Sequence, residues 1–457
     1  MKEEDKITNE YSIDYVLKRA AENDVRFVRL WFCDIFGTMK GFGITIDELE
    51  SVLLDGASFD GSVMYGPQRS KENEMIAIPD PSTFQILPWR PQKLSVARLM
   101  CNIVDRNGNV SSLDSRQILK NTLKKLKEEK MDFYVGPEIE YFYLKDSKSM
   151  EPIDQETYFD QTTHFNPSLD KQDLGSELNR ETVIGLEKMG IPVQKFQHEV
   201  SPGQHEIGLR YSDALTMADS IVTFKILAKE MAMKENVLAS FMPKPFSDLE
   251  GNGMHAHLSL FKNGKNLFVD QKSDSGISKE AKFFTAGLLK HVDEFMMITN
   301  QWINSYKRIA TQNEAPSYKC WSNESTLGTL IRIPSRRKGS IDSSRIEFRV
   351  ADPACNPYLS FAMMISSGLE GIKNKYELEP QIKKSIKDFT AEEMADLNNK
   401  KLPFNLGEAI KIAEKSSLLK NTIGVDAFEV YLESKEREWQ HYSESITDFE
   451  IKSSINL

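Results

Sequence analysis

Three short stretches of this 457-residue chain set acids, histidines or arginines at every second position, with apolar residues between them. In 136–144, Glu138 and Glu140 share one face, while Ile139, Tyr141 and Tyr143 share the other. In 254–260 the polar set is His255, His257 and Ser259; in 344–350 it is Arg345, Glu347 and Arg349. Side chains of a strand alternate between faces, so each stretch predicts a strand with an apolar back and a front of potential ligands. Carboxylates held a few ångströms apart cannot all stay ionised without cations among them. The pattern therefore points to divalent metal on a sheet face.

The candidate metal ligands are Glu138, Glu140, Glu199, Glu206, His255 and Glu347. Glu199 and Glu206 flank Pro202-Gly203, a tight-turn pair, and are predicted to face each other across a hairpin. Carboxylates with one imidazole suit hard octahedral cations, Mg²⁺ or Mn²⁺, better than zinc. Balancing this charge calls for two or three ions per site. One strand with alternating acids is most often merely half exposed; the signal lies in several such stretches together. A zinc-hydrolase reading fails, because His198-Glu199-Val200-Ser201-Pro202 lacks a second histidine four residues on and its proline breaks the helix needed. There is no Walker loop, and Gly251-Asn252-Gly253 reads as a turn feeding the next strand. Arg308, Arg332, Arg345 and Arg349 lie in or beside predicted strands, and their forks match carboxylate and phosphate geometry. Metals and arginines facing one pocket provide the charge neutralisation and positioning that phosphoryl transfer needs.

The elements that must position these groups fall into two regions. Residues 11–24 are predicted as a short helix, Val25–Phe32 as a strand, 33–37 as a turn, Gly43–Ile46 as a second strand and 47–55 as another helix, together a small α+β domain over 1–108. The second domain, 109–457, opens with a helix N-capped by Ser115, alternates strands with helices such as 177–189 and 213–234, and turns helical after Asn356-Pro357. A formal charge of −10 without a basic tail argues against a nucleic-acid partner. Cysteines 33, 101, 320 and 355 form no Cys-x-x-Cys pair and are expected to be isolated reduced thiols. No run approaches the roughly eighteen apolar residues of a membrane span, and the acidic N-terminus has no apolar leader. A soluble, cytoplasmic protein is expected, without nucleic acid or membrane as partner.

Taken in order, Gly136-Pro137-Glu138-Ile139-Glu140, 198–206 (His-Glu-Val-Ser-Pro-Gly-Gln-His-Glu), Lys244-Pro245, Gly253-Met254-His255, 304–308 (Asn-Ser-Tyr-Lys-Arg), Glu314-Ala315-Pro316, 331–334 (Ile-Arg-Ile-Pro), 345–349 (Arg-Ile-Glu-Phe-Arg) and 352–357 (Asp-Pro-Ala-Cys-Asn-Pro) resemble the glutamine synthetase family from about Val25 to the C-terminus. The resemblance implies an α+β fold: a small N-terminal β-grasp domain and a large catalytic α/β domain with a curved antiparallel sheet. It also implies a homo-oligomer of hexameric rings, stacked as a dodecamer, with active sites between subunits. Glu140, Glu199 and Glu206 would hold one metal, and Glu138, His255 and Glu347 the other. Arg308 and Arg349 would bind L-glutamate, with Glu140, His255 and Gly251 beside it. Tyr211, His257, Ser259, Arg332 and Arg345 would contact ATP. Glu314 would sit on a flap closing over the substrate, and Asp34, from the adjacent subunit, would bind and deprotonate ammonium. The implied reaction forms γ-glutamyl phosphate from glutamate and ATP, which ammonia then attacks behind a closed flap that excludes water.

Two stretches depart from the family pattern. Glu250-Gly251-Asn252 stands where Asn-Gly-Ser is usual, and 323–329 (Asn-Glu-Ser-Thr-Leu-Gly-Thr) lacks the usual arginine, for which Arg336 or Arg337 would have to substitute. Loss of one phosphate contact costs on the order of a few kcal/mol in the transition state. Residues 383–389 contain no tyrosine, so no adenylylation is expected there. Besides glutamate–ammonia ligation, two readings stay open: a γ-glutamyl ligase for an organic amine or polyamine, attracted by Glu250, and a non-catalytic ring-forming relative. Asp34 and Glu314 favour ammonia, and the full ligand set argues against a non-catalytic role.

Overall fold

The protein was analysed as a computed structural model that describes residues 3–66, 73–155, 174–270, 277–310, 315–324, 328–334 and 344–457. Among these residues are two sheets. The first comprises β1 (Val25–Cys33), β2 (Met39–Thr45), β3 (Ala57–Asp60), β4 (Glu74–Pro79), β5 (Gln85–Ile86) and β6 (Ser95–Asp105) in the order β2-β1-β6-β4-β3, with β5 also on β6. The central pair β1/β6 is parallel and its neighbours antiparallel, the expected β-grasp arrangement. The helix before it runs from Glu3, earlier than predicted, to Glu22; β2 starts four residues earlier than expected, at Met39.

The second sheet holds the polar stretches. Its strands are β7 (Met131–Leu144), β8 (Val193–His198), β9 (Gln204–Leu209), β10 (Ser212–Asp213), β11 (Leu238–Ser240), β12 (Met254–Lys262), β13 (Lys265–Asn266), β14 (Tyr318–Ser322), β15 (Thr329–Arg332) and β16 (Ile346–Phe348). The main order is β14-β15-β16-β12-β7-β9-β8, antiparallel except for β14/β15. The apolar alternates behave as their period predicts: Ile139, Tyr141 and Tyr143 of β7, Met254, Ala256, Leu258 and Leu260 of β12, and Phe348 of β16 are all buried. Helices cover this back face, Phe224 of helix 214–234 packing edge-on to Tyr141, and Phe295 of helix 279–299 stacking on Phe348. Helix 279–299 touches helix 357–374 backbone to backbone: a Cβ on Gly287 would lie 2.2 Å from the Ser367 carbonyl oxygen. The greasy face is thus sealed, and the polar face is left to do chemistry.

One capping expectation is corrected. The helix after the first sheet is N-capped by Asp114, whose carboxylate accepts from the N–H groups of Arg116 and Gln117; Ser115 is its first helical residue. No described helix is long and apolar enough to cross a membrane, and all four cysteines are buried and free.

Candidate active site

Strand register lays the polar residues out as rows across the sheet. In the first row Arg332 pairs with Glu347, Glu347 with His257, and His257 with Gly136. In the second, His255 pairs with Glu138, Glu138 with Gly208, and Gly208 with Lys195. In the third, Glu140 pairs with Glu206 and Glu206 with Gln197. Alternation puts all three rows on one face, so residues as far apart in sequence as Gly136 and Glu347 form one ledge.

Distances within the ledge are short. His257 Nε2 lies 3.3 Å from Glu138 Oε1, and His255 Nδ1 lies 3.8 Å from Glu138 Oε2 and 3.7 Å from Glu347 Oε1. Glu138, His257 and Glu347 each offer a ligand atom within 4.8 Å of the others. His255 Nε2 is 4.0 Å from Glu140 Oε1, and Glu140 Oε2 accepts the Gly253 N–H at 2.6 Å. Glu347 is fully buried; Arg332 Nε and Arg349 Nη1 donate to its two oxygens at 2.5 Å each.

The electrostatics follow from crowding. Burial pushes the Glu206 carboxyl up to about 8, with the charges of Glu138 and Glu140 adding to the effect. Burial also opposes ionisation of Glu138, but hydrogen bonds from His255 and His257 outweigh it and hold this carboxyl far below the usual range. Burial and the Arg349 guanidinium lower the His255 imidazole to about 4, which leaves its nitrogens available as ligands. Glu206 Oε1 and Arg349 Nε, both on or beside the ledge, are among the buried polar atoms that find no hydrogen bond among the described residues. Lys195 is an ion-pair partner for Glu206 Oε1 without the alignment of a hydrogen bond. The clustered carboxylates, the neutral His255 imidazole and a buried carboxylate oxygen without an aligned hydrogen bond fit a hard divalent cation.

The hairpin expectation needs correction. Pro202-Gly203 does make the turn, with Gly203 at φ +68°, but the residue across from Glu206 is Gln197, not Glu199. Glu199 lies one residue beyond β8, where Gln197 Nε2 donates to its Oε1 at 2.8 Å. It joins the ledge through Gln197 rather than by facing Glu206.

Arginines and loops border the ledge. Arg308 donates from Nη1 to the carbonyls of Val350 and Ala351 at 3.0 and 3.4 Å. It presses on both glycines of the loop before β12: a Cβ on Gly253 would lie 2.5 Å from its Nη2, and one on Gly251 would lie 3.0 Å from its Cγ. The Glu250-Gly251-Asn252 departure is stitched to the hairpin. Gln204 Nε2 donates to Gly251 O and Asn252 Oδ1 at 3.1 Å each, and the Glu250 N–H donates to Ser201 Oγ at 2.9 Å. Of the expected nucleotide contacts, Arg345 Nε donates to His257 Nδ1 at 3.1 Å, Tyr211 lies over Gly136 with its ring largely exposed, and Ser259 pairs with Tyr134, on which Tyr211 packs edge-on. Asp34 lies elsewhere, buried in the turn between β1 and β2, accepting from the N–H groups of Phe36 and Thr38 with Lys40 3.4 Å away. Burial pushes its carboxyl up. Glu314, Arg336 and Arg337 lie outside the described residues, as does 325–327 within the expected arginine-poor stretch.

Sequence reasoning missed three participants. Lys195 reaches Glu138 and Glu206. Gln197 anchors Glu199. Asp154 takes the Gly203 N–H at 2.7 Å and His198 Nε2 at 3.1 Å, bracing the hairpin from behind. Lys195 and Gln197 continue the alternation back from Glu199 and were visible in principle; nothing local marks Asp154.

The family model "Glutamine synthetase, catalytic domain" matches residues 112–454, and "Glutamine synthetase, beta-Grasp domain" matches 24–106. The chain is 40% identical to a glutamine synthetase of Mycolicibacterium smegmatis over 450 residues, covering 97% of this chain and 99% of that one. It is 39% identical to a glutamine synthetase of Methanosarcina mazei over 446 residues, covering 97% of each. Among solved structures, ligand-free GmaS superposes with a TM-score of 0.83 at 27% identity, covering 96% of this chain and 99% of that one.

Proposed function

Since the chain belongs to the glutamine synthetase family of ligases, we propose that it joins ammonia to the γ-carboxylate of L-glutamate at the expense of ATP. One observation carries the reading: five ledge residues from three strands, Glu138, Glu140, His255, His257 and Glu347, stand within 4.0 Å of a neighbour in that set, with Arg332 and Arg349 on the same carboxylate. Glu140, Glu199 and Glu206 would hold one Mg²⁺ or Mn²⁺, and Glu138, His255 and Glu347 the other, with His257 turned toward ATP beside Arg345. When bound, such ions screen the phosphate charge and polarise the transferred phosphoryl group. The chain's own work is positioning. Arg349 and Arg308 hold the glutamate, with Gly251 leaving space for its amino end. Arg332, Arg345, Tyr211 and Ser259 seat the nucleotide. A γ-carboxylate oxygen attacks the γ-phosphorus and ADP leaves. The amine nitrogen then attacks the acyl carbon, inorganic phosphate departs, and a carboxylate accepts the amine's proton. Asp34 of a neighbouring subunit in a ring is assigned that last role, and Glu314 the closing flap. Soluble, cytoplasmic rings stacked as a dodecamer are the assembly proposed.

A second reading, an organic amine as acceptor, is favoured by Glu250, an extra carboxylate in the loop that carries Gly251. Phosphate release from glutamate and ATP, with ammonium compared against a panel of mono- and polyamines, separates the two. Ammonium-dependent release is the expected result; release with amines alone would replace ammonia as the acceptor, and silence throughout would leave a non-catalytic ring protein.

A further inference from the structure

Lys195 stands between the carboxylates of Glu138 and Glu206, and three features of the chain put it there. The β8/β9 pairing slips between Val193 and Lys195, and a bulge of this kind re-aims the side chain that follows it. The residue paired with Lys195 is Gly208, whose partner on the other side is Glu138. A Cβ at 208 would lie 3.2 Å from Lys195 Cγ, so the bare glycine opens the path along which the lysine stem crosses the sheet. Its ammonium ends 3.1 Å from Glu138 Oε1 and 3.1 Å from Glu206 Oε1. These two oxygens belong to the two different ligand sets assigned above. The outer flank of the side chain is open, at 44% exposure, so the flexible four-carbon stem can carry the ammonium out into water.

We propose that Lys195 is a built-in competitor for the divalent ions: its ammonium occupies the edge shared by the two ion positions, and both ions bind together only when it swings out. The inference rests on the ligase reading's assignment of Glu138 and Glu206 to separate ions. Lys195 is a specificity-setting residue here rather than a catalytic one. It supplies a positive charge to the empty ledge and makes one ion bind more weakly than the other. The crowding that burdens Glu206 is relieved by the lysine at low metal and by the ion at high metal.

The test is Mn²⁺ binding to the assembled, substrate-free protein, followed by the electron paramagnetic resonance of free Mn²⁺ and by calorimetry. The wild type is expected to show a tight and a weaker site. Lys195→Met, which keeps the stem and removes the charge, should tighten the weaker site by about tenfold or more, while Lys195→Arg should keep the wild-type isotherm. In chelator, Lys195→Met should melt below wild type, and saturating Mn²⁺ should restore it, a reversal that a merely structural lysine would not show. An unchanged isotherm in Lys195→Met, an arginine variant that behaves like the methionine one, or no Mn²⁺ binding by any variant overturns the proposal. Phosphate release by the wild type is read separately. Turnover with an isotherm indifferent to residue 195 sinks the competitor and keeps the ligase; metal binding that responds to residue 195 in an inert protein does the reverse.

Discussion

Arg349 shares the buried Glu347 carboxylate with Arg332, and its Nε is buried with no hydrogen bond among the described residues. Burial opposes ionisation of Glu347, yet Arg349, the two histidines and Arg332 bring its carboxyl down to about 2, so it stays a full anion at any working pH. Arg349 thereby has one edge fixed on Glu347 and another edge spare, the geometry for gripping a second carboxylate. Lysine keeps the charge but loses the fork. Arg349→Lys is expected to raise KM for glutamate about tenfold or more, the loss of one charge-assisted hydrogen bond, while KM for ATP stays near wild type. Steady-state kinetics with each substrate varied in turn checks this; an unchanged glutamate KM removes Arg349 from the substrate site.

Among the elements, what was legible in sequence was what period two makes local. The faces of β7, β12 and β16 could be read because each strand keeps strict alternation and an apolar back. The place of Glu199 was misjudged because hairpin register depends on the turn's hydrogen bonds: Glu199 N–H donates to Gln204 O at 2.7 Å, which puts Gln197 opposite Glu206. Lys195 lay on the visible alternation 195, 197, 199, but its reach to Glu138 depends on a bulge and on the bare Gly208 opposite, while Asp154 was hidden by its distance in sequence from the hairpin it braces. The turn after β16 carries a consequence that no pattern announces. Asp352, completely buried, accepts from Asn300 Nδ2 at 3.1 Å and from the Ala354 N–H at 3.0 Å, yet burial pushes its carboxyl up to about 6. An acid raised above its unfolded value, about 3.9, binds its proton more tightly when folded. Its contribution to stability is therefore complete below about pH 4 and is lost as pH rises through 6, by about 3 kcal/mol in all. Asp352→Asn should remove this slope: relative to wild type, its urea midpoint should improve between pH 4.5 and pH 7. Parallel pH profiles for the two proteins would contradict it.

For the whole molecule, the role proposed for Asp34 raises the question of how it would reach the ledge. The first sheet is bolted to its own chain: the buried Arg116 guanidinium bridges Asp80, after β4, to Asp219 of helix 214–234 at 2.9 Å each, and Tyr358 donates to Asp219 at 2.6 Å. The loop after Asp34 is pinned as well, with Gln301 Nε2 donating to Phe36 O at 3.0 Å and Asn356 Nδ2 to Ile35 O at 2.9 Å. Removing one member of such a buried charged network costs about 3–5 kcal/mol, so the sheet does not detach to bring Asp34 to its own ledge. The proposed head-to-tail ring would offer another route, since a heterologous interface joins two different patches and would allow one subunit's first sheet to face the next subunit's second. Asp34→Ala and Glu206→Gln should then each inactivate a homogeneous assembly, for different reasons. When the two are co-expressed in equal amounts, a site is whole only where an intact ledge meets an intact neighbour, about one quarter of the sites under random assembly. Co-purification on two distinct tags followed by phosphate release reads this directly. Restored activity near that fraction places the two residues on different subunits of one site. Mixed assemblies as inactive as their parents would mean that every chain must carry both residues itself, and the shared site would have to be given up.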